Sequence, residues 1–374
     1  MSERREAGIP PSSERRPLDG LVVAHVGHHD PGYARNRTMA KALTRAGARV
    51  VELDDHRRYP VRTMGFLRGL RALRPDAVLL GFPGHADVLA ARTALLPARV
   101  PVVLDALVSL YETAVEDREI VAPGTLAARR FLLEDRAACA LADVVLLDTD
   151  AHIRYFRDEL GARSTRYERV WVGADDEVMR PRPRREGGPF RVLFYSSYIP
   201  LHGAEYIVRA AHELERAGEP MEIRMVGTGQ THAGVRLLAS RLGVTSVRFT
   251  DHRVAYDELP SLIGDSDVCL GVFGTTSKAA RVIPNKVFDG LATARTVVTA
   301  DSPAAREVLT DGIDCRLCPP GDPAALASVL LELRSGPEAA DALACAGHEL
   351  FRREFSLDAL SARVAPLFAE LVRG

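Results

Sequence analysis

Short apolar runs alternate with amphipathic segments along almost the whole chain, and this alternation leaves few folds open. "GLVVAHVG" (20–27), "RVVELD", "DAVLLGF" (76–82), "VPVVLDA" (100–106) and "DVVLLDT" (143–149) are strand-length and nearly continuous in apolar residues. Between them lie helical patterns at 35–47, 63–74, 86–96 and 133–142, with another at 151–161. Apolar strands separated by helices predict a parallel sheet covered on both faces. The pattern pauses at "VMRPRPRREGGP" (178–189), where three prolines, two glycines and four arginines carry no periodicity. It restarts with "FRVLFYS" (190–196), followed by the helix pattern 203–218 and the strands "MEIRMVG", "SVRFTD", "DVCLGVF" and "TVVTA".

The expected organisation is therefore two α/β halves. The lead-in is 1–19, expected to be disordered; the N-terminal domain is 20–180 and the linker 181–189. The C-terminal domain is 190–355, and a final helix over 356–374 packs back on the N-terminal domain. In open parallel sheets, ligands bind beyond the carboxyl ends of the strands. Two such domains face one another across a cleft.

Composition narrows the function classes. A formal net charge of −1 over 374 residues offers no basic field for nucleic acid. No apolar stretch approaches the roughly 20 residues a spanning helix needs. Arg62, Arg68, Arg71 and Arg74 recur on one helical face, so any membrane association is peripheral. Five cysteines are too few for a disulfide framework at this length, which suits a reducing cytoplasm. "CRLC" (Cys315–Cys318) has redox spacing but no second pair, and reads as ordinary small residues at a strand end. "DSD" (265–267) and "DTD" (148–150) read as turn and cap residues.

The chemistry gathers around lysine. The chain has three lysines, and two of them, Lys278 and Lys286, flank "KAARVIPNK". Pro284 pre-sets a first helical turn, and Lys286 near a helix start opposes the helix dipole unless an anion lies between. Asp289 shares its face at i+3, where a carboxylate can accept from a ribose diol or simply pair with the lysine. Ser302 and Pro303 mark another helix start, the loop through Gly203 a third, and "VGTGQ" (226–230) with Gly229 a glycine turn. Helix starts and glycine turns on one rim suit a nucleoside diphosphate. "GTG" is not the dinucleotide fingerprint.

"FYSSYIPLHGAEYIVRAA", "VGTGQ", "VRFTDHRVAYDELPSLIGDSDVCLGVFG" and "RVIPNKVFDGLATARTVVTADSPAAREVL", in that order, resemble the donor-binding domain of family 4 glycosyltransferases. "VWVGADDEVMRP" adds a weaker match, and the N-terminal half matches only loosely. The resemblance implies the GT-B fold: two Rossmann-like parallel-sheet domains facing an interdomain cleft. It implies a retaining, metal-independent hexosyltransferase that moves a sugar from a nucleoside-diphosphate sugar to a hydroxyl acceptor. That acceptor is a glycan, a lipid-linked compound or a small natural product. The nucleotide sugar is a co-substrate, and no cofactor or metal is implied. Lys286 would neutralise the departing diphosphate, helped by Gly203, Asn285 and Gly229. Asp289 would stand at the ribose, and the backbone around Val254 at the base.

Two positions depart from the family pattern. His202 occupies a place usually held by lysine, and Arg281 stands eight residues before Asp289, where the family has glutamate. Arg281 and Lys278 could instead add positive charge at the phosphates. These departures keep two rivals open: a GT-B relative with epimerase or pseudo-glycosyltransferase chemistry, and a non-catalytic nucleotide-sugar-binding partner. On the N-terminal side, Gly27, His28 and His29 end the first strand and are expected to face the acceptor. Asp105, Ser109 and Tyr111 follow another strand, with Asp105 placed to orient an attacking hydroxyl. Each also has a structural reading, as a cap or part of a buried polar network.

Overall fold

The computed structural model describes residues 16–373 apart from 56, 58–60, 165 and 184–186. Most of the expected lead-in and the centre of the expected linker therefore lie outside the described residues. Twelve strands form two six-stranded sheets, and every pairing between named strands is parallel. The first sheet contains β1 (Val22–Gly27), β2 (Arg49–Asp54), β3 (Ala77–Leu80), β4 (Val102–Leu107), β5 (Val144–Leu147) and β6 (Tyr167–Arg169). The second contains β7 (Arg191–Ser196), β8 (Glu222–Gly227), β9 (Val247–Thr250), β10 (Val268–Leu270), β11 (Thr296–Ala300) and β12 (Arg316–Cys318).

The apolar runs explain the layering. Strands β3, β4, β5 and β11 are buried along their full length, because helices cover both faces of each sheet. The first sheet has the order β2-β1-β3-β4-β5-β6. The second runs β12-β11-β10-β7-β8-β9, the doubly wound order in which the connections part between β7 and β10. Loops after those two strands diverge and leave a crevice at their carboxyl ends.

The last helix, Leu357–Arg373, packs on the helix Ala34–Arg45 of the first half and shares a core with both halves. Its entry is set by Phe355, whose ring meets Trp171 edge-on at 5.8 Å. Gly173 has φ +64°, and a Cβ there would lie 2.5 Å from the Phe355 carbonyl oxygen. A side chain would both strain the backbone and push the last helix away.

Several expectations change in detail. The helix expected after Pro284 does start at Asn285, with Pro284 as its N-cap, and ends at Ala292. Cys315 and Cys318 are separate free thiols, both buried, and burial pushes Cys318 up to about 12. Such thiols are unreactive. Arg62 bonds buried Asp87 at 3.2 Å and Arg71 the Ala94 carbonyl at 3.4 Å, so two of the four arginines on that helix are turned into the protein. Among the described residues no helix is long and apolar enough to cross a membrane.

Gly173→Ala is expected to lower the unfolding free energy by at least about 1–2 kcal/mol. Urea denaturation of the variant checks this; an unchanged midpoint would show that the last helix does not depend on the close approach.

Candidate active site

A cavity of about 460 Å³ opens between the two sheets, lined by loops that leave the carboxyl ends of their strands. From the second half come His202, Val254, Lys278, Asn285 and Lys286, together with Ser196, Ser197 and Gly227. From the first come Tyr33, Phe82, Leu107, Val108, Thr113, Arg118, Asp148 and Val172.

Backbone proximity builds the floor of the site. Gly203 has φ +61°, and a Cβ there would lie 2.3 Å from the Gly274 amide nitrogen. The loops after β7 and β10 therefore touch at the point where the strand order reverses. Gly203 places the start of the helix Ala204–Arg216 there. Gly229 does not line the cavity. It supports the loop above it, since a Cβ at Gly229 would meet the Ser197 carbonyl oxygen at 1.8 Å.

His202 is held in one tautomer. Its Nδ1 accepts from the Ile199 backbone N–H at 3.4 Å and from the Ser196 hydroxyl at 2.6 Å. The Ser196 hydroxyl oxygen in turn accepts from the Tyr198 N–H at 2.8 Å. These bonds assign the proton to Nε2. Burial, and then the nearby charges of Lys286, Arg118 and Lys278, hold the imidazole well below its usual range. His202 is a neutral N–H donor in the cavity wall, not a cation.

Lys286 is in the first turn of Asn285–Ala292, 5 % exposed, with Nζ 5.1 Å from the Phe194 ring centroid. Burial pulls its pKa down to about 7, against a partial opposing effect of Asp289. Asp289 lies beneath it and does not line the cavity. One of its oxygens accepts from the Tyr195 hydroxyl at 2.6 Å, and burial raises the carboxyl to about 7. In this structure Asp289 is a buried partner of Tyr195 and Lys286. Lys278 is also buried and donates from Nζ to Thr113 Oγ1 at 2.5 Å, across the domain boundary.

Arg281 departs furthest from expectation. Its guanidinium does not line the cavity. It reaches into the first half, with Nη1 2.6 Å from Glu112 and Nη2 3.1 Å from Glu159, and lies 4.1 Å from the Tyr155 ring centroid. It joins the domains instead of adding charge at phosphates. Glu112 continues inward to His152 Nε2 at 3.3 Å, and His152 Nδ1 is 2.5 Å from Asp148, which lines the cavity. Burial alone would lower the His152 pKa, but Asp148 and Glu112 on either side raise it to about 9. A chain of alternating charge therefore runs from the cavity wall to the domain boundary. Both Glu112 and Tyr155 begin π-helical turns, a wide geometry that recurs at functional positions.

The remaining N-terminal candidates lie away from the cavity, most of them with partners of their own. Asp105 is 1 % exposed, and both its oxygens bond Arg35, at 2.7 and 3.0 Å. Arg35 also donates to the carbonyls of Val170 and Trp171. Asp105 is a strut in the sheet and does not line the cavity. The Ser109 hydroxyl donates to Asp135 at 2.6 Å, and the Tyr111 backbone N–H donates to the same carboxylate at 3.0 Å. Neither side chain lines the cavity. Gly27, His28 and His29 lie outside it as well. His25 and His29 stack at 4.1 Å with rings 25° apart, and each has a nitrogen about 3 Å from Glu52. These three groups could gather at an ion. Near-parallel rings, however, keep an ion from lying in both ring planes, as coordination requires.

Sequence reasoning missed Thr113, Arg118 and Asp148. Asp148 carried a usable signal, since it directly follows β5. Thr149, next to it, is the cap residue that accepts from the His152 N–H at 3.0 Å.

The family described as Glycosyl transferases group 1 matches residues 189–335, the part of the chain that holds β7 to β12 and Lys286. Those residues are a group 1 glycosyl transferase domain. The Anabaena protein HepE, solved with UDP-glucose, is similar at a TM-score of 0.70 and 16% identity over 93% of this chain and 99% of that one. Sucrose-phosphate synthase from Thermosynechococcus elongatus is similar at 0.72 and 14% identity, over 94% and 99%. The pneumococcal O-GlcNAc transferase GtfA, solved with UDP and GlcNAc, gives 0.61 and 12% identity over 84% and 61%. No curated protein matches the chain. At these identities the likeness shows the fold, and the two facing parallel sheets are the GT-B architecture. The group 1 domain supplies the floor of the cavity, and the N-terminal half supplies its opposite wall.

The imidazolium of His152 makes stability depend on pH. Its folded pKa lies above the ordinary 6.5, so its contribution is complete below pH 6.5 and disappears as pH rises through 9. The stability gap between wild type and His152→Gln is expected to be widest near pH 6 and to shrink by pH 9.5. Urea unfolding of both proteins at the two pH values measures it; a constant gap would mean that the ring is neutral throughout.

Proposed function

We propose that this chain is a retaining glycosyltransferase that moves a hexose-type sugar from a UDP-sugar to a hydroxyl acceptor in the cleft between its domains. The observation that carries this reading is the position of Lys286. It is a nearly dehydrated amine at a helix start, in the group 1 domain, facing a cavity that His202 and Asn285 also line. UDP is chosen as the nucleotide because two similar structures, HepE and GtfA, were solved with it.

The diphosphate would lie along Lys286, the Nε2–H of His202 and the free N–H groups at Asn285, with Arg118 and Lys278 adding charge. Dehydrated donors fixed in advance stabilise the charge that builds on the departing phosphate. The metal-independent reading rests on these cations. The loop carrying Arg253 and Val254 would hold the base. Retention follows from the family resemblance. The described cysteines are all free thiols and four of the five are buried, which favours a reducing, cytoplasmic setting.

Lys286→Ala is expected to weaken UDP binding at least about tenfold and to lower kcat/KM for the UDP-sugar by roughly 10²–10³. Calorimetric titration with UDP, GDP, TDP and ADP identifies the nucleotide, and donor turnover follows. Equal binding of UDP by wild type and variant would overturn the assignment of Lys286.

Binding should also take up protons. The Lys286 pKa of about 7 rises when a diphosphate sits beside it, so at pH 8 the amine gains up to roughly one proton on binding. Calorimetry in two buffers of different ionisation enthalpy reads the number directly. An uptake of zero at pH 8 would mean that the lysine is already charged in the free protein.

A further inference from the structure

The wall facing the group 1 domain is unusually poor in hydrogen-bonding groups. Tyr33 and Phe82 stand together with ring centroids 5.6 Å apart, and Leu107, Val108 and Val172 complete the surface. Val108 also packs with Leu201 and Val282 of the other half, so the apolar surface is continuous across the cleft. Four side chains of the N-terminal half bring hydrogen-bonding groups to it: Tyr33 through its hydroxyl, Thr113, Arg118 and Asp148. Thr113 is occupied by Lys278. Arg118 is close enough to His202 to depress its protonation, which places it with the groups around the diphosphate. Asp148 and the Tyr33 hydroxyl remain, and Asp148 is the one carboxylate among the described residues that line the cavity.

We propose that the acceptor is a small apolar alcohol or phenol, seated against Tyr33 and Phe82, whose hydroxyl is held by Asp148. The proposal rests on the transferase reading above and names its second substrate. A glycan brings many hydroxyls, each of which loses water on entering the cleft and needs a new partner there. This wall offers one carboxylate, Asp148, and one phenol hydroxyl, Tyr33. An aliphatic or aromatic body with a single hydroxyl matches that supply, and its transfer out of water is favourable.

The environment of Asp148 also assigns its part in the step. One oxygen is taken by His152, whose other nitrogen faces Glu112, itself bonded to Arg281. The other Asp148 oxygen is left to accept a hydrogen bond from the acceptor hydroxyl. Asp148 therefore orients the acceptor O–H without keeping its proton. The acceptor oxygen forms the new bond to the anomeric carbon as the bond from that carbon to the β-phosphate oxygen breaks. The proton leaves with the diphosphate, and the products are the glycoside and UDP. His152 and Arg281 are positioning residues that hold Asp148 in place.

The test uses the full chain saturated with UDP. Calorimetry compares the binding of 4-nitrophenol and 1-hexanol with that of maltose and maltotriose, and transfer from the UDP-sugar is followed with the same compounds. Binding of the phenol or alkanol, with neither sugar bound, is the expected result. Asp148→Asn should then lower acceptor-dependent kcat/KM by about 10²-fold, chiefly in kcat, while UDP affinity reports that the variant is folded. His152→Gln should lower it less and shift the alkaline limb of the pH profile. Preferential binding of the sugars, binding of neither class, or full transfer by Asp148→Asn would each overturn the proposal. Failure of the wild-type protein to bind UDP would instead sink the transferase reading, and this proposal with it.

Discussion

The run of alternating charge from Arg281 through Glu112 and His152 to Asp148 ties the architecture to the cavity. Removing His152 would leave Asp148 buried without its hydrogen-bonded counter-charge, which costs far more than an exposed ion pair is worth. The chain crosses from the group 1 domain to the N-terminal half, so the angle between the domains and the state of the Asp148 carboxylate are set by one network. Other bonds follow the same boundary. Glu307 accepts from the backbone N–H groups of Asp150 and Ala151 at 2.8 and 2.7 Å, capping a helix of the opposite half. Thr149 donates to the Arg281 carbonyl at 2.6 Å.

The cleft these bonds enclose separates two kinds of work by solvation. On the group 1 side, Lys278 and Lys286 have lost most of their water, and an anion restores what burial removed. A buried lysine has little further water to lose when an anion arrives. On the N-terminal side, aliphatic and aromatic groups exclude water from the place where the sugar would be exposed to hydrolysis.

Much of the fold was legible because backbone geometry has a short range. The apolar runs, their helices and the break near residue 185 predict two parallel sheets, and twelve strands in two parallel sheets are found. Lys286 and Gly203 were legible for a related reason: a helix start and a left-handed backbone leave local marks in sequence. Side-chain partners leave none. Asp105 and Asp148 both follow buried strand residues, yet Arg35 claims both oxygens of one while the other reaches the cavity. The partners of Asp105 and Arg281 lie far away in the chain, 70 residues for Arg35 and 169 for Glu112, so no spacing rule could pair them.

The amino-acid sequence on its own determined the alternation of strand and helix, the division into halves, and the positions of helix starts and glycine turns. All of these depend on contacts between neighbours in the chain, through dihedral preferences and the periodicity of burial. The tertiary structure alone decided which charged groups are spent on holding the domains together and which remain for a ligand. Arg281 went to the domain boundary, and Asp289 and Asp105 went to buried partners within their own halves; Lys286, His202 and Asp148 line the cavity. A charge brought out of water takes whichever partner the fold carries to within about 3 Å, and that proximity is a property of the packed chain rather than of any stretch within it.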